Sequence, residues 1–242
     1  PLLYFTLPTL NHTFIHAAGL VNNNKGILII GHSNVGKTSL ALEMVMNGYS
    51  FLGDDLTILS NKGEILNFPK PVKLEGHNIT ERPEILSRIK ENMGTNEKLF
   101  FKILTSYLKK KSRSISTSVN IEDVLETPTI SSKHKINLVI HIKRYSGDSL
   151  IVKEMTAEES VKEAALNLFW EFECQEYRYT KPFYAFKKAH GEDYTKFLEE
   201  HHNHIEDILS VSFSKVKSYL IKIPAKSTTH DIYEAVEKLQ NP

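Results

Sequence analysis

The chain has 242 residues, and its 30 Lys and Arg nearly balance 29 Asp and Glu, which argues against non-specific nucleic-acid or membrane binding. This length and a hydrophobic content of 40% suffice for one substantial domain with a buried core. The single cysteine, Cys174, excludes an intrachain disulfide and a cysteine-based zinc site. Since no apolar run is long enough to cross a bilayer and no secretory signal is visible, we expect a cytoplasmic protein.

The first region of the chain combines strand patterns with one helical pattern. Hydrophobic periodicity predicts strands over residues 14–21, 26–30, 49–52 and 56–59, and a helix over residues 38–47. The run 26–30 is apolar throughout, which is typical of a strand buried on both faces. Gly48 follows the helix where a C-terminal cap is expected.

The middle region, residues 61–133, is more polar. We predict helices over residues 84–93 and 97–109, and we interpret the apolar stripe of the second helix as core packing. The basic, serine-rich run at residues 109–114 indicates a solvated loop.

The last region returns to alternating strands and helices. We predict strands over residues 136–142 and 219–223, and helices over residues 157–172, 194–209 and 231–239. Thr156 and Glu159 have the spacing of a capping box. The histidines at 201, 202 and 204 could bind a metal, but we interpret them as an exposed helix face. The interleaving of strands and helices predicts a layered α/β fold.

A phosphate-binding sequence lies between a predicted strand and a predicted helix. Residues 31–38 match the pattern G-x-x-x-x-G-K-[ST]. Glycines allow a tight turn, so that successive N–H groups face inward and cradle phosphate oxygens. Lys37 adds a positive charge at the β- and γ-phosphates, and the Thr38 hydroxyl can ligate Mg²⁺. We therefore expect MgATP or a close relative to bind at Gly31, His32, Ser33, Asn34, Val35, Gly36, Lys37, Thr38 and Ser39.

Small GTPases share this loop, but the rest of the sequence disfavours that class. A GTPase needs a downstream D-x-x-G to sense the γ-phosphate, and no aspartate of this chain has glycine three positions later. The Asn61-Lys62 pair lies too close to the loop to read a guanine base.

Asp54 and Asp55 directly follow Gly53 at the end of a predicted strand. One carboxylate there can hold Mg²⁺, while its neighbour accepts a proton from an attacking hydroxyl. Two adjacent carboxylates repel each other, which favours proton uptake by one of them. The pair therefore suits phosphoryl transfer.

Together with His16, these residues resemble the catalytic domain of HPr kinase/phosphorylase, whose fold is shared more distantly with phosphoenolpyruvate carboxykinase. The resemblance is dense over residues 14–59 and looser over residues 68–74 and 136–144. It implies an α/β fold with a P-loop-containing HPr kinase/phosphoenolpyruvate carboxykinase-like nucleotide-binding core and peripheral helices. We expect one such domain over residues 1–242, with a core at about 12–60 and 134–242 and a helical, polar insertion at about 61–133.

The resemblance also implies roles for individual residues. Lys37 and Thr38 would bind phosphate and metal, and His16 would lie beside the γ-phosphate. Asp55 would be the base and Asp54 its metal-binding partner, although the order of the two could be reversed. The resemblance further implies a homo-oligomer, for which the apolar stripe at residues 99–108 could supply an interface.

At two points the sequence departs from the family pattern, and these departures reduce the range of activities that the resemblance implies. Ser39 stands where the bifunctional enzymes carry an acidic residue, and their second glycine-rich signature, Leu-Glu-Ile-Arg-Gly-x-Gly, is absent from the sequence. Phosphorolysis therefore does not follow, and the related short kinases that phosphorylate serine in acceptors other than HPr are closer. We predict an ATP-dependent kinase that transfers the γ-phosphoryl group to a hydroxyl, most simply a serine of a peptide or protein. The alternatives are a kinase of a small-molecule alcohol and a non-catalytic nucleotide-binding regulatory protein.

Overall fold

The structure is a computed structural model of the whole chain. It describes residues 2–68, 70–75, 116–125, 132–174 and 177–240, together with residues 85, 87, 88, 91 and 94. The helix predicted over residues 97–109, its apolar stripe and the basic run at 109–114 lie outside the described residues. Of the helix predicted over residues 84–93, the described positions 85, 87, 88 and 91 are helical.

The strands and helices of the described residues are numbered in chain order. The strands are β1 (His12–Ile15), β2 (Ala17–Asn22), β3 (Lys25–Ile30), β4 (Ser50–Gly53), β5 (Thr57–Ser60), β6 (Glu64–Leu66), β7 (Val72–Glu75), β8 (Ser116–Val119), β9 (Lys133–Tyr145), β10 (Ile151–Met155) and β11 (Lys217–Pro224). The helices are α1 (Leu2–Thr6), α2 (Lys37–Met46), α3 (Ile121–Val124), α4 (Ala157–Phe169), α5 (Tyr177–Ala189), α6 (Tyr194–Phe213) and α7 (Thr229–Gln240). A 3₁₀ turn spans Pro8–Leu10, and a π-helical turn, Trp170–Cys174, continues α4.

The chain divides into two compact units, Pro1–Phe68 with Ile130–Pro242, and Pro69–Thr129. In the second unit, β7 and β8 form an antiparallel pair. The expectation of one domain with an insertion stays a prediction.

The first unit is built on a branched sheet whose central strand is β9. The start of β9 pairs with β6, which leads to β5 and β1, and all of these pairs are antiparallel. The rest of β9 lies between β3 and β11, and both are parallel to it. Antiparallel pairing adds β2 and β4 beyond β3, and β10 beyond β11. The unit thus combines a mixed parallel and antiparallel sheet with helices that precede, interrupt and follow its strands, which agrees with the predicted α/β class.

Strand β3 lies in the centre of the core because its residues are apolar on both faces. Residues 26–30 are all buried, as predicted. Leu28 and Ile30 belong to the same hydrophobic cluster as Ala164 and Leu168 of α4 and Leu209 of α6. Helix α2 packs on β2 and on α7. Because helices pack against the sheet, its strands β2 and β3 are largely buried, and the polar loops lie at the ends of the strands.

The start of α4 confirms the predicted capping box. Thr156 Oγ1 accepts a hydrogen bond of 3.1 Å from the N–H of Glu159, and the Glu159 carboxylate accepts one of 2.9 Å from the N–H of Thr156. The two bonds satisfy N–H groups that have no partner within the helix. Within the described residues, no helix has both the length and the apolar content that a membrane crossing needs.

Two expectations that involve histidines were wrong. The strand predicted over residues 14–21 is two strands, because the chain bends at His16 from the β1 branch of the sheet into the β2 branch. The 201–204 histidines are not all on an exposed face, because His201 is only 4% exposed. Its ring packs against those of Tyr4 and Phe5 in α1, at centroid distances of 4.7 and 5.1 Å.

Candidate active site

Three separate segments reach one edge of the sheet. Strand β2 runs antiparallel to β3, with Ala17 opposite Ile30. His16 directly precedes Ala17, and the loop of residues 31–38 directly follows Ile30. Strand β4 pairs with the other side of β2, so it ends at the same edge as β3, and the acidic pair follows it. Strand order and register therefore bring the three segments together.

The loop of residues 31–38 connects β3 with α2. Asn34 and Gly36 have left-handed backbone angles, with φ of 65° and 112°. At Gly31, an added Cβ would lie 2.8 Å from the backbone oxygen of Ile142 in β9 and 2.8 Å from Cγ1 of Val35. Only glycine allows β9 and the loop to approach so closely.

The other predicted loop residues differ in their exposure to solvent. His32, Ser33 and Asn34 are exposed, Val35 and Lys37 are buried, and Thr38 is half-buried. Ser39 is buried in the first turn of α2. Three exposed residues at the start of the loop leave this part accessible to a ligand.

Lys37 folds back over the loop. Its Nζ donates hydrogen bonds to the backbone oxygens of Gly31 at 2.7 Å and His32 at 3.1 Å. Burial lowers the pKa of the Lys37 ammonium, whereas the charges of Asp54, Asp55 and Glu171 raise it. The Lys37 ammonium is therefore held in an environment from which water is partly excluded, and the lower dielectric constant there strengthens its attraction for an anion.

Asp54 is buried against the start of α2. Thr38 Oγ1 donates a hydrogen bond of 2.6 Å to Asp54 Oδ2. Burial raises the pKa of the Asp54 carboxyl, and the hydrogen bond from Thr38 and the charge of Lys37 oppose this effect. Among the described residues, Asp54 Oδ1 has no hydrogen-bond partner although it is buried.

This orphaned oxygen fits a hard cation. Mg²⁺ at a phosphate site takes oxygen ligands and needs only one or two protein carboxylates beside the phosphates. The described residues contain no group of three or more His, Cys, Asp or Glu that could hold a metal by themselves. The Thr38 hydroxyl and Asp54 therefore match a metal that a bound phosphate helps to hold.

Asp55 lies in a different environment from its neighbour. Its backbone is left-handed, with φ of 67°, and its side chain is 53% exposed. His16 Nε2 lies 3.3 Å from Asp55 Oδ1. On the other side of the buried ring, His16 Nδ1 lies 2.9 Å from Oδ1 of Asn167 and 3.5 Å from Oε1 of Glu171. The ring is fixed from both sides, so it can orient Asp55.

Asn167 and Glu171 are site residues that the sequence analysis missed. Both come from α4 and the π-helical turn that continues it. A third polar residue on this helix, Ser160, has its Oγ 2.8 Å from Nε2 of His141. The spacings of seven and four residues put all three on one helix face. The sequence signal for these residues is the presence of polar side chains on an otherwise apolar helix stripe, because buried polar side chains need hydrogen-bond partners.

Comparisons with known proteins support the resemblance. No protein-family model matches the chain. HPr kinase/phosphorylase of Nitrosomonas europaea is 24% identical over 143 residues, which are 59% of this chain and 34% of that protein. The chain thus spans about a third of the length of this relative. The predicted resemblance to HPr kinase/phosphorylase is confirmed by this match.

A similarity among solved structures involves the HPr(Ser) kinase/phosphatase from Coxiella burnetii. It covers 95% of this chain and 94% of that chain, at 12% identity and a TM-score of 0.38. The resemblance therefore rests on the sequence match and the motif, not on the superposition.

Proposed function

We propose that this protein is an ATP-dependent kinase with an HPr-kinase-like nucleotide-binding core. It transfers the γ-phosphoryl group of MgATP to a hydroxyl, most simply that of a serine in a peptide or protein. The observation that carries the proposal is the contrast within the acidic pair. Asp54 is 3% exposed and bonded to Thr38, whereas Asp55 is 53% exposed and beside His16. One carboxylate suits a metal, and the other suits an incoming substrate.

The loop would bind the triphosphate of ATP. Its N–H groups would donate to phosphate oxygens, and Lys37 would leave the backbone oxygens of Gly31 and His32 for the phosphates. Thr38 and Asp54 would hold Mg²⁺ between them. The metal supplies neutralisation of the charge that develops on the transferred group.

Asp55 would act on the acceptor. An exposed carboxylate is accessible to a hydroxyl of another molecule, and it can take up the proton that the hydroxyl loses. His16, 3.3 Å from Asp55 Oδ1, would hold the carboxylate in the direction of the acceptor. Asp54 cannot take this role easily, since burial and the bond from Thr38 keep it from substrate.

The acceptor is the open part of the proposal. The curated relative is named after HPr, a protein substrate, which supports a protein or peptide hydroxyl. Ser39 and the missing second glycine-rich signature separate this chain from the bifunctional enzymes. We therefore propose a serine acceptor, with HPr as one candidate among others, and phosphorolysis does not follow from these residues.

The experiment is phosphoryl transfer from γ-labelled ATP. Wild-type protein is incubated with the label and either purified HPr or an extract of the source cells, and the labelled species is identified. Lys37→Ala is the inactive reference, and Lys143→Ala, which alters an exposed lysine of β9, is the matched control. Label on a seryl side chain with wild type and Lys143→Ala, but not with Lys37→Ala, supports the proposal. Label on a small-molecule alcohol would show that the acceptor is a small molecule and not a peptide or protein. ATP binding without any transfer would indicate a regulatory nucleotide-binding protein.

Self-association is a separate proposal that follows from the resemblance. We expect a homo-oligomer, and light scattering over a range of protein concentrations tests it. A monomer at every concentration contradicts it without touching the proposed chemistry.

A further inference from the structure

Glu171 contacts the phosphate-binding loop itself. The exposed N–H of Ser33, the third residue of the loop, donates a hydrogen bond of 3.0 Å to Glu171 Oε1. Inward-facing N–H groups of such a loop are the donors that phosphate oxygens use. A carboxylate oxygen is likewise an anionic acceptor. Glu171 thus makes, within the protein, the kind of contact that a phosphate would make.

Several groups favour a carboxylate at this position. The Glu171 side chain is only 11% exposed, and its Oε1 also lies 3.5 Å from Nδ1 of His16. The charges of Glu171 and Lys37 attract each other across the loop. A carboxylate that is nearly out of water needs such compensation.

Glu171 lies at the start of a π-helical turn. The regular helix α4 ends at Phe169, and the turn Trp170–Cys174 follows without a break. Such turns are frequent at functional sites. Asn167, one α-helical turn earlier, contacts the same histidine.

Lys37 is also satisfied inside the protein, because it donates to the backbone oxygens of Gly31 and His32. Both a donor N–H of the loop and its cation therefore have partners within the chain itself. We propose that Glu171 belongs to the nucleotide site and competes with a phosphate group of ATP for the Ser33 N–H, so that nucleotide binds only as this carboxylate leaves. This inference rests on the proposed nucleotide binding.

The competition has a measurable consequence. A carboxylate left near a triphosphate repels it, whereas a neutral amide of the same shape does not. Glu171→Gln should therefore bind MgATP about tenfold more tightly than wild type. If Glu171 instead held the metal or the acceptor, the same change would weaken MgATP binding or leave it unaltered.

The test is isothermal titration of wild type, Glu171→Gln and Glu163→Gln with MgATP. Glu163 lies on the exposed face of α4, so its variant removes the same charge away from the loop. Glu171→Ala, with circular dichroism to verify folding, serves as a second variant in case the amide perturbs the π-helical turn. Tighter binding by Glu171→Gln or by a folded Glu171→Ala, with Glu163→Gln equal to wild type, supports the inference.

The other outcomes separate the two proposals. If wild type binds MgATP and neither Glu171 variant binds it more tightly, the inference is overturned and the nucleotide site stands. An equal gain in Glu163→Gln also overturns it, because the effect is then a general one of net charge. If no protein binds MgATP, both the inference and the proposed function are overturned.

Discussion

Thr38 Oγ1 donates a hydrogen bond of 2.6 Å to Asp54 Oδ2, which joins the first turn of α2 to the end of β4. The contact links the phosphate-binding loop to the acidic pair, two segments that are separate in sequence. Asp54 is buried from solvent, while the next residue, Asp55, is half exposed. The two carboxylates are thus already in different environments before any ligand binds. This difference allows their roles to be separated by substitution.

Asp55→Asn should lower phosphoryl transfer by about 10²–10⁴-fold, the usual contribution of a positioned general base. Asparagine tolerates the left-handed backbone of this position and keeps the shape of the side chain, so folding should be preserved. MgATP affinity should change little, because the loop and Lys37 are untouched. Turnover with a known acceptor, or hydrolysis of ATP by water as a proxy, measures phosphoryl transfer. Titration with MgATP measures its affinity.

Asp54→Asn should behave differently. Replacing a metal-binding carboxylate by an amide should raise the Mg²⁺ concentration that half-maximal activity requires. A Mg²⁺ titration of activity for wild type and both variants makes the comparison. Equal loss of MgATP binding in both variants, with no separate effect on turnover, would show that neither aspartate is a dedicated base. Near-wild-type transfer by Asp55→Asn would indicate that Asp54 or His16 is the general base.

His16→Gln tests whether the histidine orients Asp55. Glutamine can reach Asn167 but lacks a rigid ring between its two polar ends, so Asp55 should lose its fixed direction. We expect turnover to fall by up to about 100-fold, which is the cost of misplacing a reacting group by about 1 Å. KM for MgATP should stay near its wild-type value. His204→Gln, on the exposed face of α6, is the control, and a change in KM alone would contradict the role.

The sequence predicted the phosphate loop and the acidic pair because both depend on neighbouring residues. The spacing of residues 31–38 fixes a local backbone shape, and Asp54 directly follows a strand. Asn167 and Glu171 could not be found in this way, since their contacts with His16 span more than 150 residues of chain. Their helix was identified by its apolar stripe, and that pattern does not say which strand or loop the helix covers.

The bend at His16 shows a related limit. Residues 14–21 have one continuous strand pattern, and β propensity does not distinguish one long strand from two short ones. The break arises because β1 pairs with β5 whereas β2 pairs with β3, which are separate branches of the sheet. Pairing between segments that are distant in sequence therefore decides whether these residues form one strand or two.

Gly31→Ala should damage both stability and nucleotide binding. The new Cβ would lie 2.8 Å from the backbone oxygen of Ile142, so β9 and the loop must move apart. Overpacking of this kind costs about 1–3 kcal/mol of the free energy of unfolding. Gly48→Ala gives the separate effect of backbone strain, because its Cβ meets nothing within 4 Å and its φ is 92°, whereas Gly31 has no positive φ. Urea unfolding gives the stabilities, and the ATP-induced shift in melting temperature reports binding.

Two outcomes would count against this role of Gly31. Unchanged stability of Gly31→Ala would mean that β9 and the loop accommodate the new Cβ without moving apart. A normal ATP-induced shift in Gly31→Ala would mean that the loop binds nucleotide without this close approach.

His141 should make the protein less stable in mild acid. Burial lowers the pKa of its imidazole from 6.5 to about 4, so the folded state keeps the ring neutral where the unfolded state is protonated. Between these pH values the unfolded chain binds more protons, and stability therefore rises with pH. The contribution is complete above about pH 6.5 and is lost as the pH falls towards 4, by about 3 kcal/mol in all.

His141→Gln tests this dependence because glutamine can keep the hydrogen bond to Ser160 but does not titrate. Urea unfolding at several pH values between about 4 and 7 should show a shallower loss of stability for the variant than for wild type. Carboxylates titrate in both proteins, so the difference between the two curves isolates the histidine. His204→Gln removes an exposed imidazole and should follow the wild-type curve. Parallel curves for wild type and His141→Gln would show that His141 is not the buried neutral histidine that lowers stability in acid.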